Sequence, residues 1–419
     1  MGLLRSLCRG DKVVWIIFFA LCVISLLEVF SATSTLTYKT ANHWTPFTGH
    51  CTHLLIGLGT VLVVHRLPYR WFRYGWTAAF PIFALVLCYL TMSGMLVNGA
   101  ARWGEVFGTR VQPSEFAKIS VIVVVSTLLM LHKNAGFRSK NTFWYILVMV
   151  GTMCLLIFRE NLSTAVILFG TVFCMMFIGK IPSGQMLKLS GVCLAVAGLF
   201  LAVVFLSPED SDSGVLHRFS VWKDRVIDFV TPIDCDARDY VITDDNRQTS
   251  HASIAIASSN VVGCMPGNSV QRDFLAQAYS DFIYAIIIEE LGLLGGGLVF
   301  VFYLILLIRA GRIARKCDRA FPAFLVMGLA IMLVIQAVVN MAVAVGLFPV
   351  TGQTLPLISR GGSSILAVSL CIGMILSVSR SNDERIAAES RAGSKDADGG
   401  AAAVAELSEE NEEQKNDER

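Results

Sequence analysis

The sequence is short of charge. Aspartate, glutamate, lysine and arginine make up 16% of its 419 residues, whereas hydrophobic residues make up 54%. An ordinary soluble domain carries about 25% charged residues, and here the apolar residues run in long uncharged stretches separated by short charged ones. Stretches of this kind are typical of helices that cross a bilayer. The sequence therefore predicts an all-α, multi-pass membrane protein.

Nucleic-acid binding and zinc binding are both disfavoured by what is missing. The formal net charge is only +2, so no basic excess points to nucleic acid. The eleven cysteines lie mostly in apolar stretches, without partners at zinc-ligand spacing. Cys235 and Cys264 share the longest polar loop and could pair if that loop is oxidised, although two free thiols are the simpler interpretation.

Ten apolar stretches are predicted to cross the membrane. They are Lys12–Ala32, His50–His65, Gly75–Met95, Pro113–His132, Phe143–Phe158, Leu162–Gly179, Met186–Leu206, Asp281–Ile308, Pro322–Leu347 and Leu357–Val378. The first is too long for a signal-peptide core and lacks a following cleavage pattern, so we expect it to be retained as an anchor. Residues 1–380 form the predicted membrane domain. Residues 381–419 are rich in Ala, Gly, Glu and Asp, which predicts a disordered acidic tail.

Lysine and arginine are concentrated in every second connection between these stretches. The basic residues include Arg5, Arg9, Lys12, Arg66, Arg70, Arg73, Lys133, Arg138, Lys140, Arg309, Arg312, Arg315, Lys316 and Arg319. The positive-inside rule places these connections, and both termini, in the cytoplasm. The remaining connections are predicted to face outward, including the long loop 207–280 between helices 7 and 8.

The first of three unusual outward regions holds Arg102 and Trp103 and leads into the motif at 112–118. A forked guanidinium such as that of Arg102 suits a phosphate. Glu115 could bind a ligand, but it also favours the positive end of a helix dipole, with Lys118 three residues on. Ligand binding and a purely structural role therefore remain open for Glu115.

The second region runs from Gly267 to Glu290 and contains Asp281 where the eighth stretch begins. A carboxylate there can cap the helix, a contribution of about 1 kcal/mol. It can equally accept a proton from a bound sugar hydroxyl at a water-poor mouth. Glu289 and Glu290 lie about two turns deeper, where placing an acidic side chain in the membrane costs free energy. We expect at least one of them to face the bundle interior with a partner.

The third region, residues 349–364, contains two prolines and three glycines. Irregular backbone at membrane depth is tolerated only where it lines a cavity or is buried in protein. As an isolated feature it could be a kinked re-entrant turn. Because Arg360 stands beside Gly361 and Gly362, the region could equally hold an anion.

In order and spacing, these three regions resemble the SEDS family of membrane proteins, the FtsW, RodA and SpoVE group. The resemblance covers about residues 10 to 380 and rests on the stretches 98–103, 112–118, 267–271, 281–292 and 349–364. The sequence departs from the usual pattern at four places. Ser259-Asn260 replaces Gly-Gly, Tyr279-Ser280 replaces His-Thr, Asn161 replaces Asp, and Arg360 stands where Tyr is common.

The resemblance implies a peptidoglycan glycosyltransferase that polymerises lipid II on the outer face of the bacterial cytoplasmic membrane. It implies that Asp281 is the general base for the acceptor sugar hydroxyl. The implied partners are a class B penicillin-binding transpeptidase, other divisome proteins and membrane lipid. The sequence of residues 267–271 is closer to that of the division and sporulation members than to that of the elongation member, which favours septal synthesis.

The departing diphosphate needs cations, and a divalent ion such as Mg²⁺ or Mn²⁺ could assist. The cationic candidates are Arg102, Arg110, Arg218, Arg225 and Arg360. The remaining candidate substrate-binding residues are Trp103, Glu115, Lys118, Gln271, Glu289, Glu290, Ser359 and Ser363.

Two other functions fit a ten-helix protein with intramembrane acids, namely a lipid II flippase and a non-catalytic scaffold. A flippase would need its key acids and cations inside the bundle and reachable from both sides. The motifs cluster in the outward loops instead, which favours the polymerase.

Overall fold

The computed structural model describes residues 9–32, 44–93, 104–106, 109–134, 140–158, 161–206, 242–243, 246–275 and 278–417. Its helices are α1 (Lys12–Ala32), α2 (Trp44–Val64), α3 (Tyr69–Ser93), α4 (Pro113–Asn134), α5 (Lys140–Phe158), α6 (Leu162–Ile178), α7 (Ser183–Leu206), α8 (Arg247–Ser258), α9 (Ile283–Arg315), α10 (Ala320–Ala344) and α11 (Gly362–Asp417). Among them, eight are long and apolar enough to cross a membrane. Helix α6 and residues 183–199 of α7 are apolar but shorter. The predicted multi-pass helical fold is confirmed.

Large apolar side chains are exposed along the outer helices. Leu85 of α3, Leu155 of α5 and Leu187 of α7 are examples. Apolar side chains pointing away from the protein are what a lipid environment requires. These faces therefore form the lipid-contacting surface of the bundle.

The interior is formed mainly by α4, α10 and residues 362–382 of α11, which are mostly buried. Helices α9 and α10 pack together, as do α2 and α11. Small residues allow close approach of the second pair, because a Cβ on Gly57 would lie 2.7 Å from Ser369 Oγ and one on Gly373 would lie 2.9 Å from Val64 Cβ. Close packing at small residues is a common way to hold helices together in membranes.

Helix α9 is broken at Gly292, where φ is 74° and ψ is −176°. The break frees main-chain groups inside the bundle, and residues 260–265, called here the bracing segment, lie beside it. The amides of Cys264 and Met265 donate to the carbonyls of Glu289 and Glu290 at 3.0 and 2.9 Å. The carbonyls on the N-terminal side of the break are therefore satisfied by the loop.

The bracing segment also accepts hydrogen bonds from the helix beyond the break. The amides of Leu293 and Leu294 donate to the carbonyls of Asn260 and Val261 at 3.3 and 3.2 Å. Freed backbone groups at membrane depth must find partners within the protein. The break and the bracing segment thus form one unit, which holds the loop before Asp281 against the bundle.

Several boundaries differ from the sequence prediction. Helix α9 begins at Ile283 rather than Asp281, and α11 begins at Gly362 rather than Leu357. The second difference has a backbone cause, because Leu357 has a positive φ of 70° that a right-handed helix does not accommodate.

Other elements were not predicted. The long outward loop contains α8, and β1 (Gly104–Val106) pairs antiparallel with β2 (Thr109–Val111). These are the only strands among the residues that the structure describes. Helix α11 continues to Asp417, through the segment predicted to be disordered. Ala, Glu, Lys and Arg are strong helix formers, and Arg385 Nη2 donates to Lys316 O at 2.9 Å near the start of that segment.

Replacing Gly292 with alanine should destabilise the protein. The new Cβ would lie 2.3 Å from Val261 O, at a φ that L residues rarely adopt. We expect a loss of at least about 2 kcal/mol, measured as a lower thermal transition in detergent. Gly297→Ala is the matched control, because a Cβ there meets no atom within 4 Å. Equal transitions for the two variants would contradict a required break.

Candidate active site

Residues 279–281 lead into α9, and their three consecutive carbonyls are each held by a different group. The bonds are Arg360 N to Tyr279 O (2.9 Å), Ser359 Oγ to Ser280 O (2.6 Å) and Asn340 Nδ2 to Asp281 O (2.9 Å). The donors come from α10 and from the irregular segment before α11. The backbone of Asp281 is therefore fixed by two elements distant in sequence.

Asp281 does not occupy the capping position of α9. The helix begins at Ile283, and its N-cap residue is Phe282, whose side chain makes no capping hydrogen bond. The Asp281 side chain is half-buried, and its Oδ1 accepts a hydrogen bond from Ser280 Oγ at 2.9 Å. A carboxylate one residue ahead of the cap is not explained by ordinary N-capping.

Arg360 lies against the same segment. Its guanidinium carbon is 5.3 Å from the centre of the Tyr279 ring, within cation–π range. Burial lowers the pKa of Arg360, but an arginine remains charged at neutral pH. No carboxylate among the described residues lies within ion-pair distance of it. A positive charge is therefore held next to the Asp281 segment.

Two of the departures from the family pattern meet here, because Tyr279 and Arg360 are in contact. A third departure is structurally neutral. Asn161 caps α6 by accepting from the amides of Ser163 and Thr164 at 3.0 and 3.4 Å, and asparagine caps a helix about as well as aspartate.

Two amide side chains on α10 connect this segment to the rest of the bundle. Asn340 and Gln336 are four residues apart and so lie on one helix face. Asn340 Nδ2 also donates to Gln353 O at 2.6 Å, and Gln336 Nε2 donates to Thr354 O at 3.1 Å. The face thus holds the irregular segment before α11 along two consecutive residues.

Gln336 extends the network to α4. Its Oε1 accepts from Lys118 Nζ at 3.0 Å, and Lys118 also forms an ion pair with Glu115 at 2.9 Å. Lys118 is 0% exposed and Glu115 is buried as well. A charge taken so completely out of water needs a charged partner and further hydrogen bonds. Glu115 is the charged partner of Lys118 and Gln336 is the further acceptor. The hydrogen bond to Gln336 therefore holds α4 against α10.

Glu289 organises the loop before Asp281. Its carboxylate accepts from Ser269 Oγ at 2.5 Å and from the amides of Val270 and Gln271 at 3.0 and 3.3 Å. Gln271 in turn contacts α8, since its Oε1 lies 2.8 Å from His251 Nδ1. Glu289 therefore binds the turn that opens a short 3₁₀ helix at Gln271–Asp273.

Glu290 ties the same loop to α1. Its Oε1 accepts from Ser31 Oγ, and Arg272 Nη1 lies 3.7 Å away. Arg272 Nη1 also donates to Ser31 Oγ at 2.7 Å. Both glutamates are buried and both contact protein groups. The expectation that at least one would face the interior with a partner agrees with this geometry.

The structure brings together only part of the predicted site. Asp281, Ser359 and Arg360 meet in one place, as described above. Glu115, Lys118, Glu289, Glu290, Ser359 and Ser363 are buried, so they expose almost no surface to a ligand and are suited to positioning rather than to substrate contact. Arg102, Trp103, Arg218, Arg225 and Cys235 lie outside the described residues, as does the side chain of Arg110.

Sequence reasoning missed Asn340, Gln336 and Gln353. The available signal was two amides at helical spacing within an otherwise apolar span, since polar groups inside a membrane mark functional or bridging positions. For the divalent ion, the described residues contain no group of three or more His, Cys, Asp or Glu side chains able to hold a metal.

Comparison with known proteins identifies relatives over most of the chain. Residues 11–384 match the model of the FtsW, RodA and SpoVE family, described as "Cell cycle protein". A relative from Halomonas elongata, named a probable peptidoglycan glycosyltransferase FtsW, is 33% identical over 372 residues, which are 86% of this chain and 87% of the relative. One from Marinomonas mediterranea with the same name is 29% identical over 379 residues, covering 87% of both chains.

Solved structures have a similar fold. A chain from a structure titled "Structural coordination of polymerization and crosslinking by a peptidoglycan synthase complex" aligns with a TM-score of 0.69 at 21% identity, covering 89% of this chain and 98% of that one. The rod shape determining protein RodA of Thermus thermophilus aligns with a TM-score of 0.60 at 21% identity, covering 88% and 97%. These likenesses concern the fold.

Replacing Lys118 with methionine should destabilise the protein strongly, because Glu115 would then be buried without its cation. Removing one partner of a buried pair costs about 3–5 kcal/mol, to be measured by thermal unfolding in detergent. Lys133→Met is the matched control, since Lys133 is exposed on the same helix. The double variant Lys118→Met/Glu115→Gln should recover part of the loss. A double variant less stable than Lys118→Met alone would contradict this account of the pair.

Proposed function

Because the chain belongs to the FtsW, RodA and SpoVE family of cell cycle proteins, we propose that it is a peptidoglycan glycosyltransferase that polymerises lipid II. The named relatives align over almost their whole length, so the proposal concerns the complete membrane domain. The observation that carries it is the backbone of residues 279–281, which is fixed by three hydrogen bonds. The carboxylate of Asp281 and the Tyr279 ring that Arg360 contacts belong to this one segment.

The reaction joins two lipid-linked disaccharides. Asp281 accepts the proton of the acceptor sugar 4-hydroxyl as the oxygen attacks the anomeric carbon of the donor. The bond from that carbon to the diphosphate oxygen breaks, and the polyprenyl diphosphate leaves with the bonding electrons. Proton transfer by a positioned carboxylate contributes about 10²–10⁴-fold to such reactions. The hydrogen bonds to residues 279–281 serve this step by fixing the position of the base.

Arg360 is proposed to stabilise the departing diphosphate. Its guanidinium is charged and half-buried, conditions that strengthen its interaction with an anion. Arg102, Arg110, Arg218 and Arg225 remain proposed as further diphosphate ligands, and Trp103 as a substrate contact. Asn340 and Ser359 are positioning residues because they bind the backbone of residues 280–281. Glu289 and Glu290 are positioning residues because they contact the loop before Asp281.

The site is proposed to face outward, with both termini in the cytoplasm. The charge pattern supports this orientation, because α9 starts at the site and ends at Arg309, Arg312 and Arg315, among the basic connections. Septal synthesis with other divisome proteins is proposed from the sequence of residues 267–271. A class B penicillin-binding transpeptidase is the proposed partner, supported by the likeness to a chain of a peptidoglycan synthase complex.

Asp281→Asn tests the assignment of the base. Asparagine keeps the size and backbone contacts of residue 281 but cannot accept the proton. With purified lipid II and the partner transpeptidase present, we expect polymer formation to fall by at least about 10²-fold, measured by electrophoresis of labelled glycan strands. The folded amount and thermal transition should match the wild type.

Asp273→Asn is the control for this experiment. Asp273 is an exposed carboxylate in the same loop, 3.6 Å from Arg272, and its exchange should leave polymerisation nearly unchanged. Polymer made at the wild-type rate by Asp281→Asn would contradict the assignment of Asp281 as the general base. A comparable loss in both variants would mean that the loop's negative charge, and not a specific base, is required.

A further inference from the structure

A cavity of about 310 Å³ lies at the opposite end of the bundle from Asp281, where α1 begins and α2 ends. Its lining residues are Arg9, His65, Arg66 and Arg380. Every lining side chain is thus a cation or can become one. Neither the proposed reaction nor the candidate active site uses any of these residues, so the inference below is independent of the proposed reaction.

The positive charge of this cavity is only partly balanced. Glu384 is the one carboxylate within ion-pair distance of these arginines among the described residues, at 3.9 Å from Arg9 and 3.6 Å from Arg380. Glu384 is about half exposed, so water weakens both contacts. Three arginines against one glutamate leave a net charge of +2.

One buried arginine nitrogen at the cavity is a hydrogen-bond donor without a partner among the described residues. Arg380 Nη2 donates to Arg66 O at 2.9 Å, but its Nε is buried and has no hydrogen-bond partner among the described residues. His65 Nδ1 lies 3.0 Å from Val61 O, and a carbonyl can only accept, so Nδ1 carries the proton. Burial and the charges of Arg66 and Arg380 lower the pKa of His65, so its Nε2 is unprotonated and can accept a hydrogen bond but not donate one.

Exposed apolar side chains lie on the same two helix ends that meet at the cavity. Ile16 and Phe19 near the start of α1, and Val63 and Leu67 near the end of α2, are exposed. Phe19 stacks on Trp15 at 5.8 Å, and Trp15 meets His65 edge-on at 5.6 Å. A charged cavity next to exposed apolar side chains at a helix end matches the two parts of a phospholipid, its headgroup and its acyl chains.

We propose that this cavity binds the phosphate of an anionic phospholipid, with the acyl chains lying along Ile16, Phe19 and Val63. Arginine pairs favourably with phosphate oxygens through its forked guanidinium. A soluble phosphate compound shares that chemistry but could not use the apolar surface. The exposed apolar side chains therefore favour the lipid as the source of the phosphate.

The test is a thermal-unfolding titration of the full-length protein in detergent. The added ligands are phosphatidylglycerol, phosphatidylcholine and soluble glycerol phosphate. We expect phosphatidylglycerol to raise the unfolding transition most. Arg66→Gln or Arg9→Gln should raise the half-saturating concentration of phosphatidylglycerol about fivefold, because one arginine near an anionic lipid contributes about 1 kcal/mol. Both side chains are exposed, so these variants should fold.

Arg70→Gln is the matched control. It removes the same charge from an exposed arginine near the same end of the bundle but outside the cavity, and it should keep the wild-type response. An unchanged response in both cavity variants would overturn the proposal, as would an equal loss in Arg70→Gln. A shift with glycerol phosphate as large as that with phosphatidylglycerol would assign the cavity to a soluble phosphate and overturn the lipid source.

Discussion

Main-chain groups freed inside a membrane must find partners within the protein, and the break of α9 at Gly292 imposes that requirement here. The bracing segment meets it with four backbone hydrogen bonds around the break. Because the same loop continues through Ser269 and Arg272, which contact Glu289 and Glu290, the helix break also sets where the chain returns toward Asp281. A backbone irregularity thus organises the loop that leads to the candidate site.

The second half of that organisation comes from α10. Asn340 reaches the carbonyls of Asp281 and Gln353, while Gln336 reaches Thr354 and Lys118. One helix face therefore joins the start of α9, the irregular segment before α11 and the buried ion pair of α4. Gln336 donates through Nε2 and accepts through Oε1, whereas Asn340 donates through Nδ2 to two carbonyls.

The sequence predicted the helices well because apolar length is a local property. Both ends of α1 and the start of α4 at Pro113 agree with the structure. The starts of α9 and α11 differ from the prediction, because they depend on the conformation around Phe282 and Leu357, which hydropathy does not encode. Asp281 was proposed from motif resemblance, whereas Arg360, which departs from the family pattern, was proposed because it stands beside two glycines. Their connection through Asn340 and Ser359 could not be predicted, since it pairs residues about 60 to 80 positions apart.

Chain growth in detergent micelles tests the central claim, that this chain polymerises lipid II, most directly. Micelles have no second leaflet, so a flippase has nothing to transport there, whereas a polymerase still has both substrates. With purified lipid II, the wild-type chain and its partner transpeptidase, we predict glycan strands longer than the starting disaccharide. Lipid II that remains unpolymerised in micelles, together with its translocation by the same preparation in sealed vesicles, would contradict the claim.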